Sequence, residues 1–412
     1  MSADRQFNCL FVGDVGSHYR TGGGYTFARN LLEQLLSIEN LLVTPVVYQS
    51  RRDQGTVDEL MLSITQGLVP YHVINAKTYG IGKPSVDIYV ALALKKLIKK
   101  MGKIDLLVLD QPNPVQHLFK NIPSIVMLHG GGFSKQSFSL RHPRSSLNTS
   151  WSNFLLSNLY KKYLNKTCGY TPLFNSLDTL AKLSVDFNIS IKQLNDLEAH
   201  VTWLPVDTDV FQKNKDIRSA MRSKYKILDD EVVIIYLSNF NSETKRAYLA
   251  PILLGKIVQQ PKVRIFFVGA GNDDHALPLD EFCRLHKNAQ RIKEIPLSDA
   301  PAWFNMADIA VSFSYRETFG YTIVEGMACE LPTVIFALGA LKEHIKNGVN
   351  GFSVNSNQEF AESLISLATN PELRKEYGVA ARKTVLDRYS YATFGQKLRL
   401  LIDKALSRAE PT

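Results

Sequence analysis

Short apolar runs rich in β-branched residues alternate along this chain with amphipathic segments. In the first half the runs fall near residues 8–13, 42–48, 71–74, 105–110, 124–129 and 169–171, with helical patterns such as 25–36 and 85–101 between them. The second half restarts the pattern at 231–237, 263–268, 291–294, 308–313, 333–336 and 351–354. Strands that alternate with helices in this way predict parallel sheets covered by helices on both faces. Two such sheets, joined near the charged stretch 205–229, make a two-domain α/β chain. Ligands of such sheets bind at the carboxyl ends of the strands.

Candidate chemistry concentrates where one of these strands ends. After the run 309–313 come Ser314, Tyr315, Arg316 and Glu317, then Phe319 and Gly320, and a helix expected over 322–328 that carries Glu325. Seven residues separate the two glutamates. The first lies in the strand-to-helix loop and the second on the early turns of the helix. Backbone amides of Gly320, Tyr321 and Thr322 would stand unpaired at the helix start, a site for an anion. Carboxylates that accept hydroxyl hydrogen bonds, flanking amides that take phosphate, suit a ligand with sugars on both sides of a diphosphate.

That stretch resembles the Glu-x7-Glu motif of retaining GT-B glycosyltransferases, above all glycosyltransferase family four. The likeness runs through Ser314-x-x-Glu317-x-Phe319-Gly320 and Glu325-Gly-Met-Ala328, the strand 331–335 and the loop Asn347-Gly-Val-Asn-Gly351. Segments 206–211 and 387–391 are similar to the family's domain junction and its crossover. The resemblance implies a GT-B fold, two Rossmann-like doubly wound domains facing each other across a cleft. It divides the chain into an acceptor-side domain over 1–206, a nucleotide-sugar donor domain over 207–390, and a helix over 391–412 that returns to the first domain.

The resemblance also implies roles. Glu325 would bind the nucleotide ribose and Glu317 would face the donor sugar, with Phe319, Gly320, Tyr321 and Thr322 forming the loop between them. Lys245 matches a family lysine on the diphosphate, helped by Arg246, but the family's arginine position reads Asn239, which can donate a hydrogen bond but no charge. His129, ending a strand beside Gly130-Gly-Gly132, matches a histidine that contacts the donor sugar. Gly23 and Gly24 in the first loop, and Gly269 after the 263–268 strand, join the ligand side. The expected reaction is transfer of a sugar from a nucleotide-diphospho-sugar to an acceptor hydroxyl, with no cofactor and no metal. A nucleotide-sugar binder without transfer activity and a GT-B epimerase are the alternatives.

Other motifs narrow the field. Neither Gly22-Gly-Gly24 nor Gly269-Ala-Gly271 completes Gly-x-Gly-x-x-Gly, because Phe27 and Asp274 stand at the third position, which counts against a nicotinamide enzyme. The His-Gly-Gly-Gly string lacks the Gly-x-Ser-x-Gly elbow that a hydrolase would need. Asp207-Thr-Asp209 spells a metal-binding pattern, but its place at the junction reads as a capping turn. Gly80-Ile-Gly-Lys-Pro84 is not a phosphate loop.

The 412 residues, 45% hydrophobic, suffice for two cores. Four scattered cysteines (Cys9, Cys168, Cys283, Cys329) have no metal-like spacing. With a polar N-terminus and no long apolar run, the expectation is a cytoplasmic protein. The formal charge of +9 is partly concentrated near residues 94–103, where Lys95, Lys96, Lys99, Lys100 and Lys103 surround a stripe of Leu94, Leu97, Ile98 and Met101. Such a helix either covers a sheet or meets an anionic membrane carrying a lipid-linked acceptor. No nucleic-acid motif accompanies the charge.

Overall fold

The computed structural model describes residues 5–15, 23–50, 56–76, 83–111, 119, 121–129, 170–187, 190, 192–193, 200–271, 273–293 and 295–407. Outside them lie Gly22, Gly80, Gly130 to Gly132, Cys168 and Glu294, so the glycine string after His129 and one cysteine are not described. The chain divides into two compact units, Met1–Trp203 with Phe394–Thr412, and Leu204–Thr393.

The first unit holds strands β1 (Phe7–Gly13), β2 (Leu41–Ser50), β3 (His72–Ala76), β4 (Leu106–Leu109), β5 (Ser124–Leu128) and β6 (Tyr170–Phe174). They pair in parallel in the order β3-β2-β1-β4-β5-β6. The helix Gly23–Leu36 starts two residues before the pattern suggested, so Gly23 and Gly24 form its first turn. Its buried face is Phe27, Ala28, Leu31, Leu32 and Leu35, the i, i+4 spacing of an apolar stripe. Phe394, on the last helix Tyr391–Ser407, lies edge-on to Phe27 with centroids 6.3 Å apart. A helix at Thr56–Thr65 was not anticipated.

In the helix Lys83–Met101, Leu94 and Ile98 are buried in the core that contains Leu10, Val12, Leu107 and Val126, with Leu97 and Met101 packed on it. The stripe therefore covers the sheet and is not available for insertion into a bilayer. Lys95, Lys96, Lys99 and Lys100 are exposed, and Lys103 pairs with Asp105 at 2.9 Å.

The second unit holds β7 (Val232–Leu237), β8 (Val263–Val268), β9 (Ala289–Ile292), β10 (Ile309–Ser312), β11 (Thr333–Phe336) and β12 (Gly351–Val354), ordered β12-β11-β10-β7-β8-β9 and all parallel. Taken from the β9 edge this is the winding of the first unit repeated. The period-2 geometry of the strand divides each apolar run between two cores. Val232, Ile234 and Tyr236 of β7 enter the core that includes Phe267 and Phe360, whereas Val233 and Ile235 enter the one that includes Trp303 and Phe304.

In both sheets the strand order reverses once, between β1 and β4 and between β7 and β10. The carboxyl ends of the strands at such a reversal are the favoured ligand position in sheets of this kind. Among the described residues no helix is long and apolar enough to cross a membrane. Cys9, Cys283 and Cys329 are free thiols; burial pushes Cys283 and Cys329 up to about 12 and Cys9 further, so none is a reactive thiolate.

Candidate active site

The switch point of the second sheet brings the loops after β7 and β10 together. Their backbones are stitched: Tyr315 N–H donates to Thr244 O at 3.1 Å, and the Tyr236 hydroxyl donates to Lys245 O at 2.9 Å. Arg246 donates its Nε–H to Phe313 O. On this frame Lys245 Nζ forms an ion pair with the Glu317 carboxylate. Burial opposes the charge on Lys245, but Glu317, with Tyr236 beside it, outweighs that and leaves the ammonium above its ordinary value. Two residues 72 positions apart in the chain thus share one spot at the strand ends.

Beyond Glu317 the chain turns through Gly320, whose φ of 93° is in the left-handed region, and enters the helix Tyr321–Ala328. A side chain here would be strained, and its Cβ would lie 2.4 Å from Leu341 Cδ2, so glycine is required. As N-cap, Gly320 also offers no side chain to block the helix start. Ile323 is the first residue whose amide reaches Gly320 O, and the amides of Gly320 and Thr322 make no hydrogen bond among the described residues. The helix start beside the Lys245–Glu317 pair thus presents the two amides on which an anion site would depend.

Glu325 follows on the same helix. Burial pushes its carboxyl up to about 8, and no cation or hydrogen-bond donor among the described residues pairs with it, although part of its surface stays open. An acid held in this state has unused capacity for hydroxyl hydrogen bonds.

Three expected ligand residues are placed differently. The Phe319 ring is buried, edge-on to Tyr321, His344 and Tyr389 with centroids 5.1, 4.8 and 5.7 Å away, so it is a core residue that lends the site only its backbone. Arg246 turns inward, its guanidinium 4.3 Å from the Phe336 ring centroid, and acts as a strap between loops. Asn239 is exposed and closes its own turn by accepting Asn241 N–H at 3.0 Å. Gly269, with φ 127°, lies where a Cβ would be 2.1 Å from Ser238 O; close approach of the β8 and β7 ends explains it. Asp207 accepts the amides of Asp209 and Val210, both at 3.0 Å, and so caps a turn.

In the first unit, the corresponding strand ends carry Asp14, Asp110 and His129. Asp110 Oδ2 accepts Asp14 N–H at 2.9 Å, and His129 donates Nε2–H to Asp110 O at 2.8 Å, with the Phe27 ring edge-on at 5.3 Å. His129 is thereby held in one tautomer.

Several residues that position the site carried no sequence signal. His344 is a lone aromatic residue in a segment with no motif of its own, and Tyr389 falls in the crossover-like segment 387–391, which gave it no role at the site. Asp308, before β10, is gripped by Arg218 at 2.7 Å and Arg222 at 3.2 Å. A cavity of about 220 Å³ lies nearby, at the amino ends of β10 and β11. Three of its four cations are occupied, Lys213 on Glu330, Arg218 on Asp308, and Arg374 on the carbonyls of Leu367 and Ala368, and the fourth, Lys375, is exposed. It is a structural network at the strand ends opposite Glu317.

Residues 217–384 match the family model of glycosyl transferases group 1. The chain is 26% identical over 183 residues to the N-acetyl-alpha-D-glucosaminyl L-malate synthase of Bacillus anthracis, covering 42% of this chain and 45% of that one. It is 24% identical over 279 residues to the alpha-monoglucosyldiacylglycerol synthase of Acholeplasma laidlawii, covering 66% of this chain and 65% of that one. The chain spans from about half to just under two thirds of the length of these curated relatives. Among solved structures, sucrose-phosphate synthase from Thermosynechococcus elongatus is similar with a TM-score of 0.74 at 14% identity, over 98% of this chain and 100% of that one. Anabaena Alr3699/HepE in complex with UDP and glucose is similar with a TM-score of 0.69 at 17% identity, over 97% and 100%.

Two six-stranded sheets of repeated winding and these whole-chain likenesses define the fold as GT-B. Within it, the segment 217–384 that matches the glycosyl transferases group 1 model carries Lys245, Glu317 and Glu325.

Proposed function

We propose that the protein is a retaining, metal-independent glycosyltransferase that moves a sugar from a nucleotide-diphospho-sugar to an acceptor hydroxyl. The observation that carries this reading is the Lys245–Glu317 ion pair at the switch point, beside a helix start whose amides of Gly320 and Thr322 are unbonded among the described residues. A diphosphate arriving there competes with Glu317 for Lys245. The ammonium and the helix amides then hold the negative charge that grows on the diphosphate as the sugar bond breaks, the electrostatic task such a reaction sets. Glu317, released, accepts hydrogen bonds from the hydroxyls of the donor sugar. Glu325, eight residues on, takes the ribose hydroxyls at the other end of the diphosphate.

Metal independence is part of the reading because Lys245 and the helix amides already supply the positive charge. Similarity to proteins whose names describe UDP, glucose and lipid products supports a nucleotide-sugar donor and leaves open a lipid-linked acceptor. The deciding experiment incubates the protein with a panel of nucleotide sugars and measures free nucleotide. Slow hydrolysis of one donor is expected even without acceptor. A protein that binds a nucleotide sugar yet releases no nucleotide from any of them, with or without acceptor extracts, would be a binding protein instead.

A further inference from the structure

The donor loop is held from behind by one segment. After β11 the chain forms the short 3-10 turn Gly339–Glu343 and reaches His344. Ala340 N–H donates to Glu317 O at 3.2 Å, and Gly339 packs against the Glu317 backbone, where a Cβ would be 3.1 Å from its carbonyl oxygen. His344 is buried and reaches the other end of the loop, with Nε2 2.6 Å from Phe319 O. A carbonyl only accepts, so Nε2 carries the proton. Nδ1 is then the acceptor, and the Tyr389 hydroxyl, 2.8 Å away, donates to it.

This chain of bonds is anchored at its far side. Arg388 donates to Glu343 O at 2.8 Å, and Asn350 Nδ2 donates to His344 O at 3.0 Å and to Thr384 Oγ1 at 3.0 Å. Tyr389 is the last residue of the helix Pro371–Tyr389, and its own carbonyl accepts Val206 N–H at 2.8 Å. The imidazole packs edge-on against both the Phe319 and Tyr389 rings, 4.8 and 5.1 Å from their centroids. Burial pushes His344 down to about 4, so the ring stays neutral and keeps this single tautomer at neutral pH.

We infer that His344, oriented by Tyr389, is a positioning residue for the donor loop: its Nε2–H fixes the Phe319–Gly320 peptide and thereby sets Glu317 and the first helix amides on the reacting end of the donor. The inference rests on the proposed reaction. The Phe319–Gly320 peptide is the hinge of the segment, because Gly320 takes the left-handed turn on which the helix start depends. A loop no longer tied at Phe319 O would move Glu317 and the amides of Gly320 and Thr322. Glu325, one turn further into the helix, would stay. The effect should therefore fall on turnover more than on nucleotide affinity.

The test compares the full-length wild type with His344→Leu, which keeps bulk but loses the donor, and His344→Gln, whose amide can still donate toward Phe319 O. Turnover of the donor found active should fall about a hundredfold in His344→Leu, the cost of a displacement near 1 Å. Nucleotide affinity should stay within about threefold, and His344→Gln should recover most of the loss. Amide hydrogen exchange gives a readout that needs no turnover. The amides of Ala340, Ile323 and Val324, which donate to Glu317 O and Gly320 O, should exchange faster in His344→Leu, while β10 and β11 keep wild-type protection. Unchanged exchange at those three amides, or equal losses of turnover and nucleotide affinity, would overturn the inference even if the protein is a transferase. If no nucleotide sugar is turned over, the proposed function fails, and the exchange measurement alone still decides whether His344 holds the loop.

Discussion

Replacing Glu325 by glutamine tests the most unusual electrostatic feature of the site. Its carboxyl is raised by burial from an ordinary 4.5 to about 8. The folded state therefore keeps a proton that the unfolded chain has already released between these pH values. The stabilising state is complete below pH 4.5 and is lost as pH rises through 8. At about 1.4 kcal/mol per tenfold change in proton affinity, the full displacement is roughly 5 kcal/mol, and the partly open surface softens it to about 3–5 kcal/mol. Glu325→Gln removes the titration. Its melting temperature relative to wild type should be near parity at pH 5 and climb steadily to pH 8.5. Binding adds a second signature. Ribose hydroxyls donate to the carboxylate, so a nucleotide favours the ionised form and should expel most of a proton at pH 7, where roughly nine in ten molecules begin protonated. Calorimetry with the nucleotide in two buffers of different ionisation enthalpy measures that release directly. Parallel melting profiles of the two proteins from pH 5 to 8.5, together with no proton release, would refute the reasoning.

Four further outcomes are expected. Glu317→Ala should depress turnover far more than nucleotide affinity in paired kinetic and binding assays, and full activity would remove Glu317 from the reaction. Activity should survive EDTA, with Asn239→Arg leaving donor affinity equal or tighter; loss on chelation restored by manganese would point back to Asp207 and Asp209. Gly320→Ala should lower the melting temperature through a cost of roughly 1–2 kcal/mol for a left-handed alanine, before Leu341 has moved aside. In vesicle sedimentation, the exposed face of Lys95, Lys96, Lys99 and Lys100 should give salt-sensitive binding to anionic vesicles at about 1 kcal/mol per lysine. Glutamine at all four should abolish it, and equal absence of binding to anionic and neutral vesicles would end the membrane reading.

Periodicity located most of the strands, because a strand buried on both faces reads as a continuous apolar run, as β4 and β7 do, although the run at 89–94 has the same form and lies inside the helix Lys83–Met101. β8, β11 and β12 lie where the runs lie, and the other strands differ only by residues at their ends. Glu317, Gly320 and Glu325 were also legible, since a loop, a left-handed glycine and a helix start are set by neighbours in the chain. What the tertiary structure decided is which side chains face the candidate site. Phe319, Arg246 and Asn239 stand in the right segments, but packing directs the first two inward and a local turn claims the third. The Lys245–Glu317 pair exists only because β7 and β10 are neighbours at the point where the strand order reverses. His344 and Tyr389 acquire a task only when the fold brings them within hydrogen-bond reach of each other and of Phe319 O. Local patterns are written in local residues, whereas a contact between distant segments depends on how the sheet is wound.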